Sequence, residues 1–502
     1  MDFFKKHKLE FFILAFLIIL YLFSRFYSIL ALPIFTDEAI YIRWAQIAKQ
    51  DANWRFISLT DGKQPMFIWL MMISLRFIQD PLLAGRVVSV GAGFFTLIGM
   101  YFLGREVFKS NKIGLISSAL YVFFPMALVY DRMALYDSLV GAFAVWSLFL
   151  IILMVRRVRL DIALILGMVI GGGVLTKTNA FFNIYLLPLS LILFNWTGRN
   201  IKERFIKWVG LAIIAVVIAY SFYSILRLSP FFHIITEKNA IFVYSLKDWL
   251  DHPFNFFIGN WQAFWDWAIR YLTWPLLALA ILSFFVAKKL IREKLVLFLW
   301  FIIPIVALGL FGKTLFPRFI FFMILPLLPL IAFSLVNIYT KLKKPYVFLI
   351  FLFLVFVLAF KTDYLILNDF ANAHIPVSDT NQYLADWPAG GGVKGAVEFF
   401  KREAGRGKIY VATQGTFGLM PYALEIYLVN NPNIKIDGYW PVGDVIPTKV
   451  IEESKKIPTY FLFYQPCSSC VYPGAAPVQW NLNPILQIKG AGDNYTSIYR
   501  IK

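Results

Sequence analysis

Asp37 and Glu38 stand side by side in "FTDEAIYIR" (35–43), a few residues after an apolar run that begins near Leu9. A third acid, Asp137, follows another greasy stretch, and six isolated bases fall in comparable places: Arg25, Lys63, Arg132, Lys177, Arg270 and Arg318. A carboxylate among cations at a membrane surface suits one reaction well. A hydroxyl attacks the anomeric carbon of a sugar carried on a polyprenyl phosphate, and a carboxylate base takes the hydroxyl proton. The leaving lipid phosphate is already acidic, so it needs positive charge rather than a proton. A prenyl tail would explain why such a site is built among apolar segments.

Each residue also has a purely structural reading. Thr36 can cap the helix "DEAIYIRWAQIAKQ", and acids in a first turn suit the helix dipole. Asp137 can be a first-turn acid, Arg132 can pair with Asp131 or Asp137, and Lys63 can snorkel to the interface. Arg25 and Arg270 can serve as headgroup anchors. The chemical reading gains from number and placement. A charge costs roughly 2.5–3.5 kcal/mol at the bilayer centre, yet these fall together on one side.

The elements that must position them follow from composition. The 502 residues are 60% hydrophobic and only 15% charged, with a mean hydropathy of +0.69. Soluble domains are roughly 45–50% apolar, so the chain reads as a polytopic membrane protein. Its net charge of +19 sits in short clusters between apolar runs, the pattern of topology signals and not of nucleic-acid binding. Eleven runs could cross about 30 Å of hydrocarbon: 9–30, 82–104, 113–130, 134–155, 161–177, 181–195, 205–226, 268–287, 295–311, 316–338 and 345–361. The first is too long for a signal-peptide core and reads as a retained span. Every second connection is basic, from Lys5, Lys6 and Lys8 to Lys341, Lys343 and Lys344. Those loops face the cytoplasm, with the N-terminus, and the residues after 361 lie outside. All nine candidates belong to the outer set, with long outer loops at 31–81 and 227–267.

The expected organisation is a transmembrane domain, 1–361, and an extracytoplasmic α/β domain, 362–502. In the latter, "KIYVAT" (408–413), "IKIDGY" (434–439) and "TYFLFY" (459–464) read as strands between helical stretches. The two cysteines, Cys467 and Cys470, favour a local disulfide over a redox or metal site on an oxidising side of a membrane. The aromatic-rich 227–267 loop reads as an interfacial amphipathic helix, or as a flap closing over a sugar. His233 and His252 lack paired ligand spacing. Asn494 in "NYT" is a sequon of the kind that arises by chance.

A series of motifs gives this pattern a family resemblance. "DE" leading a helix in the first outer loop is followed by "KQP" (63–65) and "AGRVVSVGAGFFTLIGMYFLGREVF" (84–108). Then come "DRMALYDSLVGAF" (131–143), "GGVLTKTNA" (172–180) and "PRFIFFMILPLLPL" (317–330). In that order they resemble the GT-C membrane glycosyltransferases, in the branch of protein O-mannosyltransferases and aminoarabinose transferases, over residues 1–340. The resemblance implies Asp37 as catalytic acid with Glu38 its neighbour, and Asp137 as a second carboxylate. Lys63 matches the Lys of a Lys-Pro-Pro motif, here with Gln64 in the middle. Arg132, Lys177 and Arg318 fall at donor-phosphate positions. It implies single-sugar, mannose-like transfer from a polyprenyl phosphate to a protein, glycolipid or glycan hydroxyl, at the cell membrane. No "WWD" and no clear DxD are present, so en bloc oligosaccharide transfer is disfavoured and no metal or other cofactor is expected. A lipid-linked-sugar flippase would need charges reaching both faces and pseudo-symmetric halves. A merely anchored surface protein would not need eleven spans.

Overall fold

The computed structural model describes residues 8–342, 344–466 and 470–502. Cys467 lies outside them, so the expected Cys467–Cys470 pairing does too, as do Lys5, Lys6 and Lys343. Among the described residues, six helices are long and apolar enough to cross a membrane, or up to eight if each of two bent pairs is one span. The six are Lys8–Phe26, Pro81–Phe108, Tyr136–Arg157, Ile201–Leu228, Ile291–Phe311 and Pro345–Asn368.

The expected runs that fall short of this test are interrupted for local reasons. The run 113–130 divides into helices Asn111–Val122 and Pro125–Tyr130, because Pro125 has no N–H to continue the first. The run 268–287 straddles a 99° bend between Phe257–Leu272 and Trp274–Val286. Thr273 there has φ +65°, and Pro275 disfavours helical backbone just before it. Residues 316–338 form a second bent pair, at 51°. Leu160–Val174 and Thr178–Leu193 are shorter apolar helices, the second carrying Pro188.

Helices Pro81–Phe108 and Tyr136–Arg157 form the centre of the bundle, and Gly99 admits Val145, to which a Cβ would lie only 2.9 Å away. Helix Lys8–Phe26 and the last span, which runs on to Asn368, turn many large apolar side chains outward. That is the expected surface toward lipid.

Beyond the last span lies a five-stranded sheet. The strands β3 (Ile409–Gln414), β4 (Ile434–Tyr439), β5 (Thr459–Phe463), β6 (Pro484–Lys489) and β7 (Tyr495–Ile501) are ordered β4-β3-β5-β7-β6. The first three are parallel and are joined through helices Leu419–Leu428 and Thr448–Ser454, as parallel connections require. β7 and β6 add antiparallel. The three strands read from the sequence are present. β6 and β7 are additional, and polar residues interrupt their apolar pattern.

The two domains meet at the helix that carries the acid pair. β1 (Ile34–Phe35) pairs antiparallel with β2 (Ala389–Gly390). Arg43 reaches Glu425 at 2.5 Å, and the Gln46 amide donates to the Ile426 carbonyl at 2.9 Å. Thr36 is not the cap expected from the sequence. It is the first helical residue of Thr36–Gln50, and its N–H and hydroxyl both donate to the Pro388 carbonyl, at 3.0 and 2.9 Å. Phe35 occupies the cap position, and the Glu38 carboxylate accepts its N–H at 3.0 Å.

Candidate active site

Asp37 projects from the first turn of helix Thr36–Gln50 into a cavity of about 760 Å³. Its carboxylate is held from two sides, by Lys63 Nζ at 3.5 Å and by Arg318 Nη2 at 3.1 Å. Burial alone would raise its pKa, but the charges of Lys63 and Arg318 outweigh that and hold it at about 2.

Lys63 follows Gly62, whose φ of +66° favours glycine. A Cβ there would sit 2.5 Å from Lys238 Cβ and 2.6 Å from the Ile234 carbonyl, so loop 227–267 presses directly on the turn. Gln64, the residue that departs from the Lys-Pro-Pro pattern, donates its amide to Thr178 Oγ1 at 2.7 Å. The turn is thereby fastened to the start of helix Thr178–Leu193 without a second proline. Lys63 lies 3.4 Å from Asp61 Oδ2 and over the Tyr41 ring at 4.7 Å. Asp61 in turn takes Lys238 at 2.6 Å.

A second pair stands opposite, with Lys177 Nζ donating to Asp137 Oδ1 at 2.8 Å and packing over Phe319 at 4.6 Å. Four cations (Lys63, Lys177, Lys238, Arg318) thus face three carboxylates (Asp37, Asp61, Asp137), leaving one positive charge over. Phe181, Phe182, Tyr185, Leu308 and Phe311 give the same cavity an apolar wall.

Five of the nine residues singled out in the sequence therefore come together: Asp37, Lys63, Asp137, Lys177 and Arg318. The other four lie elsewhere. Successive helical residues diverge by about 100°, and Glu38 turns away from Asp37 into the protein, with 0% exposure. Arg86 grips it through Nε and Nη2, both at 2.8 Å, and the Ala134 N–H donates to it at 2.7 Å. Arg86 also donates to the carbonyls of Ile29, Leu32 and Pro33, so Glu38 and Arg86 close the first outer loop onto the bundle. Arg25 is buried against Asp131 at 3.4 Å and donates to the Val122 carbonyl at 2.6 Å. Arg132 spends its Nη2 on the carbonyls of Tyr27 and Ser28. Arg270 pairs with Asp266 at 2.8 Å on an exposed helix face.

Arg86, Asp61 and Lys238 were not foreseen. Arg86 lies within an apolar run, where a charge must find a partner, and that was the available signal. Asp61 and Lys238 carried none, because 177 residues separate them. Among the described residues, no three His, Cys, Asp or Glu side chains are grouped to hold a metal ion.

This arrangement of helices and sheet superposes on solved membrane glycosyltransferases. ArnT from Cupriavidus metallidurans bound to undecaprenyl phosphate superposes with a TM-score of 0.58 at 12% identity, covering 98% of each chain. The archaeal oligosaccharyltransferase AglB from Archaeoglobus fulgidus, in complex with an inhibitory peptide and a dolichol-phosphate, gives 0.54 at 13% identity, over 91% of this chain and 69% of that one. No curated protein matches the chain in sequence. Residues 62–223 match the family described as dolichyl-phosphate-mannose-protein mannosyltransferase, an interval that contains Lys63, Asp137 and Lys177. The chain is a multi-pass membrane protein with the fold of these glycosyltransferases.

Proposed function

We propose that the protein transfers a single, mannose-like sugar from a polyprenyl-phosphate donor to an acceptor hydroxyl outside the cytoplasm, with inversion and with Asp37 as general base. The observation that carries this reading is the placement of Asp37 between Lys63 and Arg318 in a cavity with an apolar wall. Lys63, Arg318 and Lys177 hold the donor phosphate, Asp137 orients Lys177, and the Phe- and Leu-lined wall takes the first prenyl units. With this charge supplied by the chain, no metal is required in the scheme. The cell membrane is the setting, with the sheet domain on the outer side.

Lys63 and Arg318 both lie on Asp37, and a carboxylate held at about 2 is a weak base. An arriving phosphate competes for Lys63 and Arg318, which frees the carboxylate and raises its basicity when substrate is present. The acceptor oxygen then bonds to the anomeric carbon and its proton passes to Asp37. The bond from that carbon to the phosphate oxygen breaks, and its electron pair leaves with the lipid phosphate.

The test is release of polyprenyl phosphate from polyprenyl-phosphate mannose by the full chain in lipid, wild type against Asp37→Asn. Release that requires Asp37 supports the donor class and the base together. Release undiminished in Asp37→Asn removes Asp37 from that role.

A further inference from the structure

One wall of the cavity comes from the other domain. Gln382, Trp387 and Pro388, in the connector between the last span and the sheet, line the same cavity as Asp37. This connector is held on four sides. Asp379 accepts the hydroxyls of Tyr130, at 2.5 Å, and of Tyr271. The Tyr383 ring meets Phe35 edge-on at 5.0 Å, and the Pro388 carbonyl takes both Thr36 donors. The Asn494 amide, the asparagine of the sequon, donates to the Ala385 carbonyl at 2.6 Å.

Among the connector residues that line the cavity, two groups are left uncommitted. Gln382 Oε1 is a buried acceptor without a protein partner, and buried acceptors are rarely left so unless something else completes them. Trp387 is 40% exposed, which leaves a large aromatic surface at the cavity, with Tyr464 behind it at 6.4 Å between ring centroids. An immobilised aromatic face beside a single amide oxygen suits a ligand with an apolar C–H face and hydroxyls at its rim. A sugar ring has that form. An extended peptide would use a free strand edge, and the paired strands beside the cavity, β1 and β2, are two residues long each.

We propose that Gln382 and Trp387 form a subsite for the ring of a sugar acceptor, so that the enzyme glycosylates a glycan or glycolipid rather than a peptide hydroxyl. This rests on the transfer reaction proposed above and names its acceptor class. Phosphate enters from the apolar wall, whereas the connector roofs the start of the Asp37 helix, so a ring on Trp387 brings its hydroxyl to Asp37 from the aqueous side. The sugar hydroxyl that hydrogen-bonds Gln382 supplies the missing donor. A deoxy analogue would leave that acceptor unpaired again, which is how such a site discriminates.

The experiment uses the full chain in lipid with polyprenyl-phosphate mannose, and adds either methyl α-mannopyranoside or a short Ser/Thr peptide. Saturation-transfer NMR of the glycoside on donor-free protein is recorded in parallel. The expected result is saturable acceleration of polyprenyl phosphate release by the glycoside alone. Trp387→Ala raises the glycoside KM at least tenfold and removes the saturation-transfer signal, while the donor KM moves less than threefold. Gln382→Ala raises the glycoside KM severalfold, and Trp387→Phe restores most of the loss by keeping a ring. Acceleration by the peptide alone, by neither probe, or a glycoside KM unmoved in Trp387→Ala overturns the subsite. Absence of any Asp37-dependent release in wild type instead overturns the donor reading beneath it, and the NMR signal and its loss in Trp387→Ala still report on the sugar contact.

Discussion

Asp37 and Glu38 are adjacent in the chain and share a helix turn, yet they belong to opposite kinds of ion-pair system. Glu38 is sealed from solvent, and Arg86 and two backbone N–H groups occupy its oxygens. Asp37 opens on a cavity, and its partners Lys63 and Arg318 stand at 3.5 and 3.1 Å. A closed pair serves the fold, because nothing can displace Arg86 without leaving a buried charge uncompensated. An open pair can exchange partners with an incoming anion. The difference separates a sealed pair from an accessible one more cleanly than residue type does.

That contrast can be broken in order of effect. Asp37→Asn should lower transfer by roughly 10²–10⁴-fold, the usual worth of a positioned general base, with a smaller loss of thermal midpoint than Arg86→Ala. A comparable loss of midpoint would mean that Asp37 too is scaffold. Arg86→Ala should do the reverse, costing about 3–5 kcal/mol by stranding the Glu38 charge; thermal unfolding in detergent, or failure to accumulate, reads this. Arg318→Ala should cost about 10²–10³-fold in rate, by analogy with removing one preorganised charge-stabilising donor, and steady-state release of polyprenyl phosphate measures it. Gly93→Ala tests the second sealed system, Arg25–Asp131. A Cβ at Gly93 would collide with the Tyr21 hydroxyl and the Asp131 carboxylate, so about 1–3 kcal/mol of destabilisation is expected, again as a lower midpoint.

The smallest effect concerns pH. Asp379 is pushed up to about 6, chiefly by burial, against the hydroxyls of Tyr130 and Tyr271 that favour its charge. A carboxyl raised above its unfolded value of about 4 stabilises the fold fully below pH 4. That contribution is lost as pH rises through 6. Asp37 has the opposite sign, since its depressed pKa stabilises the fold above pH 4 and the contribution disappears toward pH 2. The thermal midpoint of Asp379→Asn should therefore lack a decline between pH 4 and 6 that is expected of wild type.

Hydropathy alone fixed much of the plan. Apolar runs with alternating basic loops grouped Asp37, Lys63, Asp137, Lys177 and Arg318 as one set, because burying charge in hydrocarbon is costly wherever the chain goes, and the five share one cavity. Alternating apolar strands between helical stretches also marked β3, β4 and β5. These are local signals, readable within a window of residues. Tertiary structure alone decided which member of the acid pair faces the cavity. Helical geometry requires Asp37 and Glu38 to diverge, but only Arg86, 48 residues from Glu38, determines that Glu38 turns inward. The same holds for Asp61 with Lys238, for Arg25 with Asp131, and for the connector from 377 to 390 that returns to the Asp37 helix. An ion pair needs two side chains within a few ångströms, and chain separation sets no limit on which two meet. The sequence therefore shows which charges must find partners, and the packing of the bundle chooses them.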